Sequence, residues 1–322
     1  MVILGILVSI ILLVSIVGRN NWDGKSRFTV ISEVLSEKNE NSDFKLSILS
    51  LEPRQKRAVY IAIPANTLLD VPFGYKKYLA SSVYYLGEFD RKYDGGYLIS
   101  KSIEDTFGIA VDAYIIFPRN STSIIPSTLD QMKKSKQSYF SLSKLPSFLW
   151  NNLKRNYILK TNLSFFDRFF LCWSVFQLRI DQIYFIDQEN SQFLKDDVLP
   201  DNSVVKNVDR DLFDLVSDNY FEDSQVRTEN YSISVINSTG QSKLAYQFSR
   251  VLSHIGANVI IKTTSEEKYP GVCKIILTTQ EQKSSKIVTR IKNYYGCLIE
   301  ILPEAGSEQS DIKVILGDKF IK

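Results

Sequence analysis

The stretch Ser232-Ile233-Ser234-Val235-Ile236-Asn237-Ser238-Thr239-Gly240 decides how the chain is read. Its β-branched residues favour an extended backbone, so Ser232 to Ile236 reads as a strand. Asn237 to Gly240 reads as a turn: the Asn237 side chain can bond the adjacent backbone, and Gly240 accepts φ > 0. Downstream, Leu244, Ala245, Phe248, Val251, Leu252 and Ile255 recur at helical spacing and stop at Gly256. Strands follow at Val259–Thr263 and Val272–Thr278. A helix with Ile287, Val288 and Ile291 then ends at Gly296, before strands at Leu298–Leu302 and Ile312–Leu316. The order β-α-β-β-α-β-β predicts a small βαββαβ domain, two helices on one sheet, over 229–322.

The chain before it reads as a second α/β (α+β) body. Leu46, Ile48 and Leu51, then Glu52-Pro53-Arg54-Gln55, then Val59, Ile61 and Ile63 make a hairpin. Ile99, Ile103 and Phe107 mark a helix stopped by Gly108, and Ile109–Phe117 a further strand. From Pro118 to Ser147 the pattern decays into Ser, Thr, Lys, Gln and Pro, which reads as a loop. Asn162 to Arg179 then carries Phe165, Phe166, Phe169, Phe170, Trp173 and Phe176 at helical spacing, behind a Ser164/Asp167 capping box. Two readings stay open for it: a core helix, or the wall of a lipid-binding cavity built on Phe165, Phe169, Trp173 and Phe176.

Val2 to Gly18 is apolar or small throughout and spans roughly 25 Å as a helix, close to the hydrocarbon thickness of a bilayer. No basic residue precedes the run and Val17-Gly18 is a poor cleavage site, so an uncleaved single-pass anchor is the preferred reading. Arg19, Lys25 and Arg27 follow it, and charge alone does not set the orientation. The expected organisation is an anchor at 1–18, a linker at 19–27, a first globular domain at 28–188, a linker with an amphipathic helix at 189–228, and the small domain at 229–322.

Composition removes several functions. At 322 residues, 44% hydrophobic and 23% charged, the chain is not disordered. Lys+Arg 39 against Asp+Glu 36 is too even for nucleic-acid binding driven by bulk charge. One histidine, His254, and three scattered cysteines exclude a Cys/His zinc site. Cys273 and Cys297 sit at strand starts of the same small domain, so a disulfide between them is open, with Cys172 left over.

The segment Ile233–Gly240, with Leu244-Ala245, Gly256-Ala257-Asn258-Val259 and Val314–Phe320, resembles the LytR C-terminal domain found in the LytR–CpsA–Psr family of envelope proteins. The first body resembles that family's larger domain. Ser42-Asp43 stands where the family has Ser-Asp-Thr, Ile63-Pro64-Ala65-Asn66-Thr67 where it has I-P-R-D-T, and Lys77-Tyr78-Leu79-Ala80 at K-[IL]-N-x-A. Gly95-Gly96 and the run to Asp112 follow its glycine-pair, helix and G-I-x-[IV]-D pattern. The resemblance implies an extracytoplasmic, membrane-anchored protein. Family members move glycopolymers from polyprenyl pyrophosphate to the cell wall, with arginines on the pyrophosphate and acidic residues on Mg²⁺.

The departures from that pattern fall on its charges. Arginine's planar fork suits pyrophosphate, and here that position is Ala65. The neighbouring acid is Asn66, a poor ligand for a hard cation, and the motif Asn is Leu79. Asp43, Lys77, Arg91 and Arg119 remain as catalytic candidates, with Asp43 also the candidate metal ligand. The reading is a non-catalytic binder of polyprenyl-linked glycan, peptidoglycan or envelope proteins. The alternative is a divergent, Mg²⁺-dependent glycopolymer phosphotransferase.

Overall fold

A computed structural model describes residues 22–36, 44–121, 125–139, 158–186, 192–303 and 310–320. The expected anchor at 1–18 lies outside them. Among the described residues no helix is long and apolar enough to cross a membrane. In chain order the elements are β1 (Phe28–Val34), β2 (Lys45–Glu52), β3 (Arg57–Ile63), β4 (Thr67–Asp70), β5 (Lys77–Leu79), α1 (Ala80–Asp90), α2 (Gly95–Phe107) and β6 (Ala113–Phe117). Next come α3 (Leu129–Tyr139), β7 (Lys160–Thr161), α4 (Phe165–Gln177), β8 (Ile183–Ile186), β9 (Leu194–Val198), β10 (Val204–Val208), α5 (Arg210–Val216) and α6 (Ser224–Glu229). The last are β11 (Ser232–Asn237), α7 (Leu244–His254), β12 (Asn258–Thr264), β13 (Cys273–Leu277), α8 (Lys286–Tyr295), β14 (Leu298–Ile301) and β15 (Ile312–Leu316). They divide into two compact units, Met1–Ala65 with Ala113–Asn190, and Asn66–Asp112 with Ser191–Lys322.

The first unit is one sheet in the order β7-β6-β1-β2-β3-β8. The expected hairpin is β2 and β3, turned by Pro53–Gln55 with Lys56 at φ 49. One sheet face packs Phe28, Val30, Leu51, Ala113 and Ile115 against Leu163, Leu171 and Leu178 around α4. The opposite parity of β1 carries buried charge. Arg27 meets Glu52 at 3.2 Å and donates to Ser50 at 2.9 Å. Glu33, in register with Leu46 and Ile116, is fully buried and neither carboxyl oxygen has a hydrogen-bond partner. Burial pushes its carboxyl up to about 8.

Three expectations change in this unit. The loop expected at 118–147 contains α3. That helix buries only a thin stripe around Met132, and Lys136 donates to the carbonyls of Val175 (3.0 Å) and Leu178. Residues 22–27 are not a free linker. Trp22 is buried, stacks on Phe28 at 4.5 Å, and donates its backbone N–H to Asp167. The capping box of α4 forms as expected, but its buried side chains are Asp167, Arg168 and Leu171. Phe165, Phe169 and Trp173 face outward, while Phe170 packs on the core beside Leu171, so only part of the expected aromatic set is covered.

The second unit holds a sheet ordered β12-β11-β15-β13-β14 and another ordered β5-β4-β10-β9. In the first, β11 runs parallel to β12 and β15, while β13 is antiparallel to β15. Ile233, Val235, Phe248, Leu252, Val288, Ile291 and Val314 form its core, as their spacing predicts. Removing such side chains from water contributes about 1.5–3 kcal/mol each. Cys273 and Cys297 form a buried disulfide, and Cys172 is free. Asn237 makes the turn: its Oδ1 accepts from the Thr239 N–H and hydroxyl, and its amide donates to Gln241 O. The left-handed residue there is Lys243 (φ 66) rather than Gly240. Within the expected linker at 189–228, β9 and β10 form an antiparallel hairpin. The exposed Lys195, Asp196 and Asp197 make β9 a charged edge strand, which hid it from an apolar pattern.

Candidate functional site

Ala65 follows β3 and offers no donor. The Asn66 side-chain amide donates to Val204 O at 3.0 Å and its backbone carbonyl accepts from the Lys206 backbone N–H, so it ties the start of β4 to β10. Lys77 is exposed on β5 and donates to Asn207 at 3.3 Å. Arg91 is the exposed left-handed C-cap of α1 (φ 57). Arg119 lies in a short 3₁₀ turn of the first unit, whereas Lys77 and Arg91 belong to the second. Asp43 lies outside the described residues. Gly95 has a packing reason: a Cβ there would stand 2.5 Å from Tyr84 O. Asp94 caps the helix that follows, accepting from Gly96 and Tyr97. Asp112 pairs with Arg290 at 3.0 Å.

Among the described residues no group of three or more His, Cys, Asp or Glu converges, and Asn66 brings a neutral amide rather than a carboxylate.

What the second unit does possess is a cleft of about 680 Å³, within the size range of small-ligand sites. The loop between β4 and β5, the outer side of α2, the start of α7 and the end of α8 line it. Aromatic rings dominate: Phe73, Tyr75, Tyr97, Phe248, Tyr294, Tyr295 and Phe320. Phe73 holds a left-handed backbone (φ 64) at the loop tip and stacks on Tyr93 at 4.3 Å and Tyr97 at 6.0 Å. A bulky residue in that region is uncommon and is held there by its surroundings.

Charge in the cleft is mixed, with four lysines and three carboxylates in the lining. Lys101 pairs with Glu104 at 2.9 Å and stands 4.3 Å from the centre of the Tyr294 ring. Glu104 accepts from Tyr294 (2.7 Å) and Tyr295 (2.8 Å). Burial, and then the Glu104 charge, raise both phenols well above their ordinary value. Asp70 pairs with Arg210 at 2.8 Å. Asp105 is pushed up to about 6, by burial first, with Arg210 opposing. Lys76, Lys77 and Lys319 stand at the rim, and Gln241 and Gln247 add amides. Such a lining matches a ligand with apolar faces and hydrogen-bonding edges better than one of high charge.

His254 is engaged elsewhere. Its Nδ1 faces Gly108 O at 2.9 Å and its Nε2 faces Asp214 at 3.3 Å. Asp214 also takes Arg250 at 2.6 Å. Both ring nitrogens are thus occupied by structural contacts away from the cleft lining.

Of the sequence candidates, only Lys77 lies at the cleft. Tyr294, Tyr295, Glu104 and Phe73 were missed. The i, i+3 pair Lys101/Glu104 was visible as a helix-surface salt bridge. Its tyrosine partners are some 190 residues away in sequence, and nothing local announces them.

No protein-family model matches the chain. No curated protein matches it in sequence either. Among solved structures, it is similar to Bacillus subtilis TagV, with 13% identity over 60% of this chain and 94% of that one, TM-score 0.44. It is also similar to the LytR-CPS2A-psr family protein YwtF (TagT) with bound octaprenyl pyrophosphate lipid, with 16% identity over 60% and 88%, TM-score 0.40. A third is an Enterococcus faecalis protein described as a transcriptional regulator, with 9% identity over 72% and 88%, TM-score 0.42.

Proposed function

We propose that this chain is a membrane-anchored, outward-facing envelope protein of the LytR–CpsA–Psr type that binds a polyprenyl-linked glycan without transferring it. The observation that carries the reading is the aromatic cleft of the second unit, lined by both carboxylates and lysines. A saccharide presents apolar C–H faces to flat rings and hydroxyls to carboxylates and amides, and the cleft supplies both kinds of partner. Tyr97 is 41% exposed and open to stacking, beside Asp105, Gln241 and Gln247.

The absence of transfer follows from charge. Stabilising a transferring phosphoryl group requires preorganised cations, and losing one costs orders of magnitude in rate. Ala65 and Asn66 supply none at the family's arginine and acid positions. The Cys273–Cys297 disulfide supports an oxidising, extracytoplasmic compartment.

Titration of the full chain with chitotetraose tests the cleft. Saturable binding is expected, weakened about tenfold by Tyr97→Ala and unchanged by Phe89→Ala, an exposed residue off the cleft. No binding at millimolar sugar, or equal binding by both variants, refutes the assignment.

A further inference from the structure

Helix α4 presents an uncharged aromatic stripe that no core explains. Phe165, Phe169 and Trp173 lie at i, i+4 and i+8 and are 42%, 36% and 42% exposed. The helix's only charged residues, Asp167 and Arg168, are buried on the other side. Large aromatics grouped on one exposed helix face mark an interaction surface.

The chain also fixes where this stripe stands. Trp22 is docked onto the same helix. Its backbone N–H donates to Asp167 Oδ1 at 3.1 Å, and its ring meets Phe170 edge-on at 6.5 Å. Gly24 reinforces the seat, since a Cβ there would touch the Phe170 ring at 3.3 Å. Only Arg19, Asn20 and Asn21 separate Trp22 from Gly18, the last residue of the apolar run. Four Cα steps reach at most about 14 Å. If Val2–Gly18 spans the bilayer, as the proposed function holds, α4 is leashed to within that distance of the lipid surface.

We propose that α4 is a membrane-interface helix whose Phe165, Phe169 and Trp173 insert into the outer leaflet beside the anchor, fixing how the globular part sits on the membrane. Aromatic side chains favour the headgroup boundary, where amphipathic helices lie in the plane with their apolar face down.

The test uses the full chain reconstituted into phosphatidylcholine vesicles, with and without lipid brominated in the acyl chains. Brominated lipid is expected to quench a tryptophan component in the wild type that is missing in Trp173→Phe. Equal fractional quenching of the two proteins overturns the inference, and so does an unquenched Trp173 in a chain that dimerises on the vesicle. A chain that fails to enter the vesicles refutes the anchor and this inference together. Vesicle-bound chain with unquenched Trp173 refutes this inference alone.

Discussion

The Tyr294 hydroxyl donates to the Glu104 carboxylate at 2.7 Å, joining helix α8 to helix α2 at the floor of the cleft. The same hydroxyl accepts from the Val111 N–H at 2.8 Å, and Tyr295 donates to the second Glu104 oxygen. Glu104→Ala removes the acceptor of the Tyr295 phenol and the counter-ion of Lys101, and leaves Tyr294 only the Val111 carbonyl at 2.6 Å. It is expected to cost about 3 kcal/mol, against about 1 for Tyr295→Phe, measured by urea unfolding. Equal effects would mean that Glu104 does not anchor the pair.

Glu33 sets a pH dependence. Its carboxyl stays protonated in the folded chain up to about 8 but ionises near the ordinary value of 4.5 when unfolded. Between those values the folded state binds more protons, so stability falls as pH rises from the lower to the upper and is level above it. Glu33→Gln lacks this slope. It is expected to match the wild type near pH 4 and to exceed it by on the order of 5 kcal/mol above pH 8. Parallel stability profiles would contradict the buried, partnerless carboxyl.

The disulfide closes a loop with a sequence separation of 24 between the start of β13 and the residue just before β14. Replacing Cys273 and Cys297 together by Ser should destabilise the second unit by about 3 kcal/mol. Unchanged thermal unfolding under strong reductant, with thiol titration proving reduction, would argue against it.

Asp167 is fully buried and holds both the Ser164 N–H that closes the capping box and the Trp22 N–H. Ser164→Ala should cost about 1 kcal/mol as a lost cap. Asp167→Ala should cost more, about 2–3 kcal/mol, because two backbone donors lose their acceptor. Denaturant midpoints rank the two, and a reversed order would show that Trp22 is not seated on α4.

The periodic elements were legible in the sequence. β11, α7, β13, α8 and β15 fall where alternation, helical spacing and the Gly256 and Gly296 stops place them, because apolar pattern and caps are local. The α4 cap was read from Ser164 and Asp167, but not which way its aromatics point. Spacing gives a face, and only packing says whether that face is covered. The Asp-rich β9 and the lysine-rich α3 were lost because charge masks an edge strand and a thin helix stripe. The cleft was least legible. Phe73, Tyr97, Tyr294 and Lys319 come from separate stretches and meet only through topology.

The most direct measurement incubates the full chain with Mg²⁺, peptidoglycan and a radiolabelled glycan on polyprenyl pyrophosphate, following label bound to protein and label passed to the wall. The account predicts protein-bound label that is weakened by Tyr97→Ala, with no transfer and no release of the polyprenyl carrier. Mg²⁺-dependent transfer by the unmodified chain, or no bound label at all, would contradict it.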